Sequence, residues 1–324
     1  MSFPVQRMRR LRRNETIRRM VRESRLSVDD LIYPLFVVSG KGIKKEIEPL
    51  PGNYHFSIDR LEDEVRELSN LGIPAVILFG LPERRDEFAS ESYDPKGVVQ
   101  KAIRRLKKSI PGMILITDVC LCEYTSHGHC GIIKNGYVQN DRTVEILCKV
   151  TLSHAEAGAD IVAPAAMMDG EVAAMRRALD ERGFIDVVIM GYSAKMATKL
   201  YDPFFKSATE SAVAFGDKKS HQMDYSNANE ALREIALDIE EGADIVMVKP
   251  GMFYTDIIYR AKQRFGMPLA VYNVSGEYAM IKSAAQLGRI NDREITLELL
   301  TSFKRAGADL ILTYSAREVA PLLK

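Results

Sequence analysis

Two lysines stand at the ends of apolar, β-branched runs, where a charged side chain is unexpected. Lys249 ends the run I-V-M-V-K, and Lys195 follows V-V-I-M-G-Y-S-A. Burial and a second ammonium nearby both disfavour the charged form of a lysine, so its pKa falls. The neutral amine is the nucleophile that attacks a ketone to form a Schiff base. The ordinary alternative, a solvated or ion-paired side chain, is hard to reconcile with the position of Lys249.

A cluster of thiols supplies a second chemical signal. The segment D-V-C-L-C-E-Y-T-S-H-G-H-C-G contains the candidate ligands Cys120, Cys122, Cys130, His127 and His129. Three thiolates on zinc would leave a fourth position for water or substrate, which is the arrangement of catalytic zinc. The two histidines leave the ligand set ambiguous, and unrelated buried thiols are the alternative. The remaining cysteine, Cys148, falls in a helical pattern and is expected in the core.

Eight short apolar runs are predicted to be the strands that position these groups. They cover 31–38, 75–80, 113–119, 161–165, 187–192, 245–250, 269–275 and 310–315. Amphipathic stretches such as 57–71, 141–157, 169–182 and 227–241 separate them. Strands that are apolar throughout and alternate with helices predict a parallel sheet. Eight such units favour an α/β fold of the (β/α)₈ TIM-barrel type over an open sheet, and no G-x-G-x-x-G follows the first strand.

A phrase repeated along the chain supports this architecture. It reads E-A-G-A-D-I-V at 156–162, E-G-A-D-I-V at 241–246 and R-A-G-A-D-L-I at 305–311. Each glycine is predicted to end a helix in the left-handed conformation, with a buried strand starting two or three residues later.

Two segments do not fit the alternation of strands and helices. Residues 1–30 are predicted to form an arginine-rich N-terminal arm, followed by a catalytic domain at 31–324. The arginines could belong to a transit peptide or bind nucleic acid, but we favour pairing with acidic surface of this chain or of a partner subunit. Residues 196–226 form an unusually long connection, which we interpret as an active-site lid.

Composition excludes several classes of protein. The chain has 324 residues, 46% hydrophobic and 27% charged, with a formal net charge of +1. No global field argues for nucleic acid or a membrane surface, and no run is long enough to span a bilayer. Neither a signal peptide nor a disulfide framework is indicated, so we expect a cytoplasmic protein.

The active site of a TIM barrel lies at the carboxyl ends of its strands. The side chains predicted there are Asp118, Cys120, Cys122, Lys195, Lys249, Ser275 and Tyr314.

The motifs that carry this chemistry resemble those of the porphobilinogen synthases. The cysteine segment is similar to the zinc segment of that family, and G-A-D-I-V-M-V-K-P-G-M-F-Y at 242–254 to its Schiff-base signature. Y-S-A-K at 192–195 matches the second lysine, and Y-N-V-S-G-E-Y-A-M at 272–280 matches a further motif. The similarity runs essentially end to end.

The resemblance implies condensation of two 5-aminolevulinate molecules to porphobilinogen, with loss of water, in tetrapyrrole (heme) biosynthesis. Lys249 would hold the first substrate as a Schiff base, and Lys195 would assist or bind the second. Zinc on the three cysteines would polarise the second substrate. Asp118 would orient groups or move protons, while Ser275 and Tyr314 would bind the first substrate's carboxylate.

The resemblance also implies further ligands and partners. Tyr201, Lys206, Lys218 and Gln222 are candidate contacts for substrate from the lid. Glu234 matches a position that binds an allosteric magnesium between subunits in some members. The family is typically a homo-octamer whose N-terminal arms wrap neighbouring subunits.

Departures from the family pattern cluster around the site. After the fourth strand the family usually has A-P-S-D-M-M-D-G, whereas this chain has A-P-A-A-M-M-D-G, with Ala165 and Ala166. Two arginines of the family's lid are replaced in this chain. Phe205, in D-P-F-F-K, takes the position of the first and is followed by Lys206, and Lys218, in F-G-D-K-K, takes the position of the second. Lysine keeps the charge but loses the bidentate fork of arginine. These changes are the main support for one alternative, a divergent paralogue that uses Schiff-base chemistry on another ketone. Two further alternatives are a weak or inactive barrel kept for binding or assembly, and a nucleic-acid binder that uses the arginine-rich arm.

Overall fold

Eight parallel strands close into a barrel in the computed structural model, which describes residues 3–323 except the side chains of residues 202, 203 and 205. The strands are Leu31–Val38, Ala75–Leu81, Ile114–Val119, Ile161–Pro164, Val188–Lys195, Ile245–Lys249, Leu269–Asn273 and Leu310–Thr313. Each pairs in parallel with the next. The eighth pairs with the first at Leu31↔Ile311 and Ile32↔Leu312, which completes the circle. The predicted TIM barrel is confirmed.

Helices follow every strand and cover the outside of the barrel. They are Ile58–Asn70, Val98–Ser109, Asn140–Ala157, Glu171–Glu181, Ala228–Glu240, Thr255–Phe265, the pair Ser275–Gln286 and Asp292–Ala306, and the short Ala316–Val319. Their apolar side chains pack on the strands, and one hydrophobic core runs through both layers. No helix within the described residues is long and apolar enough to cross a membrane.

The repeated phrase does what its composition predicts. Gly158, Gly242 and Gly307 end their helices at φ values of 104°, 103° and 116°, and each strand begins three residues later. The aspartate of each copy adds a contact that the sequence did not reveal, because it reaches the neighbouring strand. Asp160, Asp244 and Asp309 accept hydrogen bonds from the backbone N–H of Leu115, Ile189 and Leu269 at 2.7, 2.8 and 2.8 Å. Each repeat therefore fixes the start of an adjacent strand.

The predicted strands agree with the observed ones to within a few residues, with one informative difference. The fifth strand was predicted to end at 192 but extends to Lys195, whose Cα pairs in register with that of Lys249. Short strands were missed at Lys44–Glu46, Tyr54–Ser57, Ile133–Lys134 and Tyr137–Val138. The first and the last two of these have no buried residue, so no apolar pattern marks them.

The segment before the first strand is an exposed arm. Its short helices Met8–Arg12 and Glu15–Met20 contain no buried residue. Several large apolar side chains of the arm face solvent in the single chain: Phe3, Val5, Met8, Leu11, Met20 and Val21. Exposed apolar side chains of this number are typical of a surface that packs against another protein.

The long connection after the fifth strand leaves the barrel and returns to it. Met196 and Met223 pair as an isolated bridge at its base, and it contains the helix Asp202–Thr209. Its backbone is tied to the barrel, since His55 Nε2 lies 2.7 Å from the carbonyl oxygen of Ala208 and Ser211 Oγ donates to the carbonyl of Cys122 at 2.9 Å. The connection therefore covers the carboxyl ends of the strands.

Candidate active site

A cavity of about 600 Å³ lies between this connection and the carboxyl ends of the strands. Nearly all the side chains singled out from the sequence line it: Asp118, Cys120, Cys122, Lys195, Tyr201, Lys206, Lys218, Gln222, Lys249, Ser275 and Tyr314. Cys130 joins the other two cysteines beside it. Glu234 lies elsewhere, and the side chain of Phe205 is outside the described residues.

The two lysines face each other across adjacent strand ends. The half-buried Lys249 places its Nζ 4.4, 4.9 and 5.2 Å from the ring centres of Tyr272, Tyr192 and Tyr201. Burial, and then the positive charge of Lys195, lower the pKa of Lys249 to about 7. A substantial fraction of this amine is therefore neutral near pH 7, as a nucleophile requires.

Lys195 is in a different electrostatic environment, although it lies on the neighbouring strand. Burial by itself would lower the pKa of Lys195, but the negative charge of the Cys130 thiolate raises it above the ordinary value. Its Nζ donates a hydrogen bond to the carbonyl oxygen of Ala165. The pair therefore consists of one amine that is partly neutral and one that stays charged, so the two lysines suit different roles.

Three thiols converge beside the lysines. The Sγ atoms of Cys120 and Cys122 are 3.2 Å apart, and all three cysteines have Sγ atoms within 4.8 Å of one another. Hydrogen bonds from the other two thiols lower the pKa of Cys130 well below its usual value. Thiolates at about 2.3 Å from a tetrahedral zinc are about 3.8 Å apart, so these buried residues fit such an ion with small adjustments.

The two histidines of the same segment are not part of this cluster. His129 Nε2 lies 2.9 Å from the carbonyl oxygen of Phe215, so the ring contacts the connection rather than the thiols. The groups of close metal-ligand atoms in the described part of the chain are the three cysteines and a second set of Asp118, Cys120 and Glu123. Cys148, which was expected in the core, is half-buried and packs against it.

Acidic groups near the cysteines include one that the sequence analysis missed. Glu123 is buried and accepts a hydrogen bond from Cys122 Sγ at 3.2 Å. Burial, and then the charge of Glu123, raise the pKa of Asp118 to about 7. A carboxyl group with such a pKa can both release and accept a proton at neutral pH. The position of Glu123 directly after Cys122 could have marked it as a candidate in the sequence. Its contacts with Cys122 and Asp118, however, depend on the fold.

The far wall of the cavity is formed by the seventh and eighth strands. Ser275 begins the helix that follows the seventh strand, and Tyr314 follows the eighth. The hydroxyl of Tyr314 is 3.2 Å from that of Tyr272. Glu277 holds this wall in place, since it accepts from Asn273 Nδ2 at 2.8 Å and from the backbone N–H of Met252 at 2.7 Å. No pattern in the sequence indicates that structural role of Glu277.

The connection contributes the roof of the cavity. The hydroxyl of Tyr201 lies within hydrogen-bond distance of two acceptors, the carbonyl oxygen of Met196 and Gln222 Oε1, the latter at 3.1 Å. Arg85, also missed from the sequence, joins roof and wall by donating to the carbonyl oxygens of Glu123 and Thr209 at 2.9 and 3.1 Å. A Cβ atom at Gly276 would lie 1.9 Å from the carbonyl oxygen of Leu200, so only glycine permits this close approach.

A second cavity of about 510 Å³ lies behind the roof and contains Glu234. Burial, and then the charges of Asp169 and Glu230, raise the pKa of Glu234. Lys219 and Gln222 line both cavities. The two cavities are therefore separated by one segment of the connection.

Comparison with known proteins agrees with this geometry. The family model for Delta-aminolevulinic acid dehydratase matches residues 5–322. A protein of that name from Methanothermus sociabilis is 54% identical over 319 residues, which cover 98% of this chain and 99% of the relative. One from Bacillus subtilis is 50% identical over 323 residues, which cover 100% of this chain and 99% of the relative. A solved dehydratase of this name from Toxoplasma gondii, in complex with the reaction product porphobilinogen, has a TM-score of 0.95 at 43% identity and covers 99% of this chain and 92% of that one.

Similarity of this extent, along the whole chain and its site, does not favour a divergent relative with another ketone substrate. The activity is that of a porphobilinogen synthase, an enzyme of the hydro-lyase class. The chain belongs to the Delta-aminolevulinic acid dehydratase family.

Proposed function

We propose that this chain condenses two 5-aminolevulinate molecules through a Schiff base on Lys249. The observation that carries the proposal is the environment of its amine, which is enclosed by three tyrosine rings beside Lys195 and has a pKa of about 7. The neutral amine donates its electron pair to the keto carbon of the first substrate and forms a C–N bond. The carbonyl oxygen takes up protons and leaves as water, which gives the imine.

Asp118 is suited to move these protons. Its carboxyl group lines the same cavity as both lysines, and its pKa of about 7 lets it give a proton to the departing oxygen and take one back. Lys195, which stays charged, would bind or orient the second substrate. Ser275 and Tyr314 would hold the carboxylate of the first substrate at the far wall.

The metal proposed for this site is zinc on Cys120, Cys122 and Cys130. The soft thiolate ligands and their spacing fit that ion. When bound, zinc would act as a Lewis acid on the second substrate. Ser211 would support the ligands, since its hydroxyl donates a hydrogen bond to the backbone carbonyl of Cys122.

We also propose a regulatory magnesium at Glu234 and a homo-octamer in the cytoplasm. The neighbouring Asp169 and Glu230 make the surroundings of Glu234 negative, which favours a hard cation. The exposed apolar side chains of the arm are suited to contacts with neighbouring subunits.

A direct test is incubation of the zinc-loaded protein with 5-aminolevulinate and detection of porphobilinogen with Ehrlich's reagent. Borohydride added during turnover reduces the imine, and peptide mapping then identifies the modified lysine. We expect product that a chelator abolishes and an adduct on Lys249. Absence of product from zinc-loaded protein would contradict the proposal.

The rate of borohydride trapping at Lys249 is expected to depend on pH around 7. Below its pKa of about 7 the amine is protonated and cannot attack, so trapping should rise with pH and level off above that value. In the Lys195→Met variant the midpoint should move to higher pH, because the neighbouring positive charge is gone. An unshifted midpoint would show that Lys195 does not influence the amine.

Lys206 and Lys218 are expected to bind the carboxylate of the second substrate in place of the two arginines. Removing both, in a Lys206→Ala, Lys218→Ala variant, should raise KM roughly 10- to 100-fold, the equivalent of about 1.5–3 kcal/mol for a charged hydrogen bond. The matched variant with arginine at both positions should lower KM, because arginine supplies a bidentate fork that lysine lacks. Unchanged constants in the double alanine variant, with zinc content verified, would exclude this role.

A further inference from the structure

The turn that follows the fourth strand has an unusual backbone. Residues 165–170 lead into the helix Glu171–Glu181, and Met167 adopts a φ of 60°. Left-handed backbone is disfavoured for a residue with a long side chain and persists only where the surroundings hold it in place. The turn therefore depends on a specific constraint.

Glu171 supplies this constraint from the first position of the helix. Its Oε1 accepts a hydrogen bond from the backbone N–H of Met167 and its Oε2 from that of Met168, each at 3.2 Å. The backbone N–H of Glu171 itself donates to the carbonyl of Met168 at 3.1 Å. The side chain is buried, with 6% of its surface exposed, so both carboxyl oxygens are committed to the turn.

The constrained turn carries the carbonyl group that Lys195 uses. Ala165, two residues before Met167, accepts a hydrogen bond from Lys195 Nζ through its backbone oxygen. The N–H of Ala165 donates to the carbonyl of Val119 at 3.0 Å, which fixes the strand side of this residue. The direction of its carbonyl is then decided by the turn that follows. Because the side chain here is a methyl group, the hydrogen bond to Lys195 comes from the backbone.

The positive charge of Lys195 also reaches Glu171. Burial raises the pKa of Glu171 to about 8 and the charge of Asp238 acts in the same direction, while the backbone hydrogen bond from Met168 and the charge of Lys195 act in the opposite direction. The neutral carboxyl group therefore predominates near pH 7, and its two oxygens still accept the hydrogen bonds of the turn. These hydrogen bonds, rather than an ion pair, connect Glu171 with Lys195.

We propose that Glu171 is a positioning residue for Lys195, holding the turn whose Ala165 carbonyl orients that ammonium in the active site. This inference rests on the role proposed for Lys195. Position 165 carries alanine where the family pattern has serine, so the backbone carbonyl of Ala165 takes the place of a side-chain hydroxyl. The direction of that carbonyl is set by the side chain of Glu171, which does not line the active-site cavity.

The test compares Glu171→Gln with Glu241→Gln in the full-length, zinc-loaded protein. Glutamine has the size of glutamate, but its amide NH₂ cannot accept, so one of the two N–H donors of the turn loses its partner. Glu241 is a matched control, because its carboxylate accepts from the N–H of Ala173 at 3.1 Å in the first turn of the same helix, away from residues 165–168. Three quantities are measured at the active site: product formation, borohydride trapping at Lys249, and the trace acetylation of Lys195 relative to the exposed Lys41. The melting temperature of each variant is measured as well.

We expect Glu171→Gln to lower kcat/KM by about tenfold or more, the scale of a slightly misplaced catalytic group. Acetylation of Lys195 should rise several-fold, because its ammonium loses an oriented acceptor, while trapping at Lys249 stays at the wild-type level. Glu241→Gln should resemble the wild type in all three measurements.

Other outcomes overturn the proposal. Wild-type turnover and wild-type acetylation of Lys195 in Glu171→Gln would show that the contact positions nothing. Equal losses in both variants, accompanied by a lower melting temperature, would reduce Glu171 to a structural role. Absence of trapping at Lys249 in the wild-type protein would instead refute the Schiff-base mechanism, and the acetylation of Lys195 would still report whether Glu171 holds it.

Discussion

The Lys249→Met variant is expected to fold normally and to form porphobilinogen roughly 10⁵-fold or more slowly than the wild type, the scale of removing a covalent nucleophile. Methionine fills the space between the tyrosine rings without bringing a charge. It cannot form a C–N bond with the keto carbon, so the first substrate is no longer held. Borohydride in the presence of substrate should leave this variant without an adduct at position 249.

The control for this experiment is Lys41→Met, which removes an exposed lysine far along the chain from the site. It should trap substrate and turn over at the wild-type rate. Melting temperatures of both variants show whether either change disturbs the fold. Turnover by Lys249→Met within tenfold of the wild type would rule out an essential Schiff base at this position.

The Cys130→Ser variant is expected to lose zinc and, with it, nearly all activity. The weakly basic hydroxyl that replaces the thiolate is a poor ligand for zinc, and the cluster has no fourth cysteine within the described residues to take its place. We expect affinity to fall by more than about 100-fold, which exceeds the loss from removing an outer-shell partner. Metal retained after dialysis against a weak chelator is measured directly, apart from activity.

Cys148→Ser is the matched control, because Cys148 is also a free cysteine but lies on the helix Asn140–Ala157, outside the cluster. It should keep one zinc per site and full activity. Cobalt(II) substitution gives a second readout, since thiolate-to-metal absorption should disappear in Cys130→Ser and persist in Cys148→Ser. Full metal content in Cys130→Ser would mean that the metal binds elsewhere.

The barrel was predictable because its signals are local. Each strand is a short apolar run, and each copy of the G-A-D phrase combines a left-handed glycine with a strand start. The cysteine cluster was predictable for a similar reason, since its three members lie within eleven consecutive residues. The short strands at 44–46 and 54–57 were not, because pairing rather than hydrophobic pattern defines them.

The surroundings of each reactive group were less accessible from sequence. The rings around Lys249 come from the fifth strand, the seventh strand and the connection, at Tyr192, Tyr272 and Tyr201. Tyrosines are common in buried strands, so no pattern marks these three. The exclusion of His129 from the thiol cluster likewise depends on the position of the Phe215 carbonyl.

By itself the sequence determined the barrel, the two lysines at its mouth and the set of thiols, because local apolar patterns and short spacings encode them. Only the tertiary structure decided that Lys249 has a pKa of about 7 while Lys195 stays charged, and that Glu171 holds the turn beside it. The reason is physical: a pKa and a side-chain orientation depend on burial and on charges within a few ångströms. Those neighbours come from strands and loops that are distant in the chain and meet only when the barrel closes.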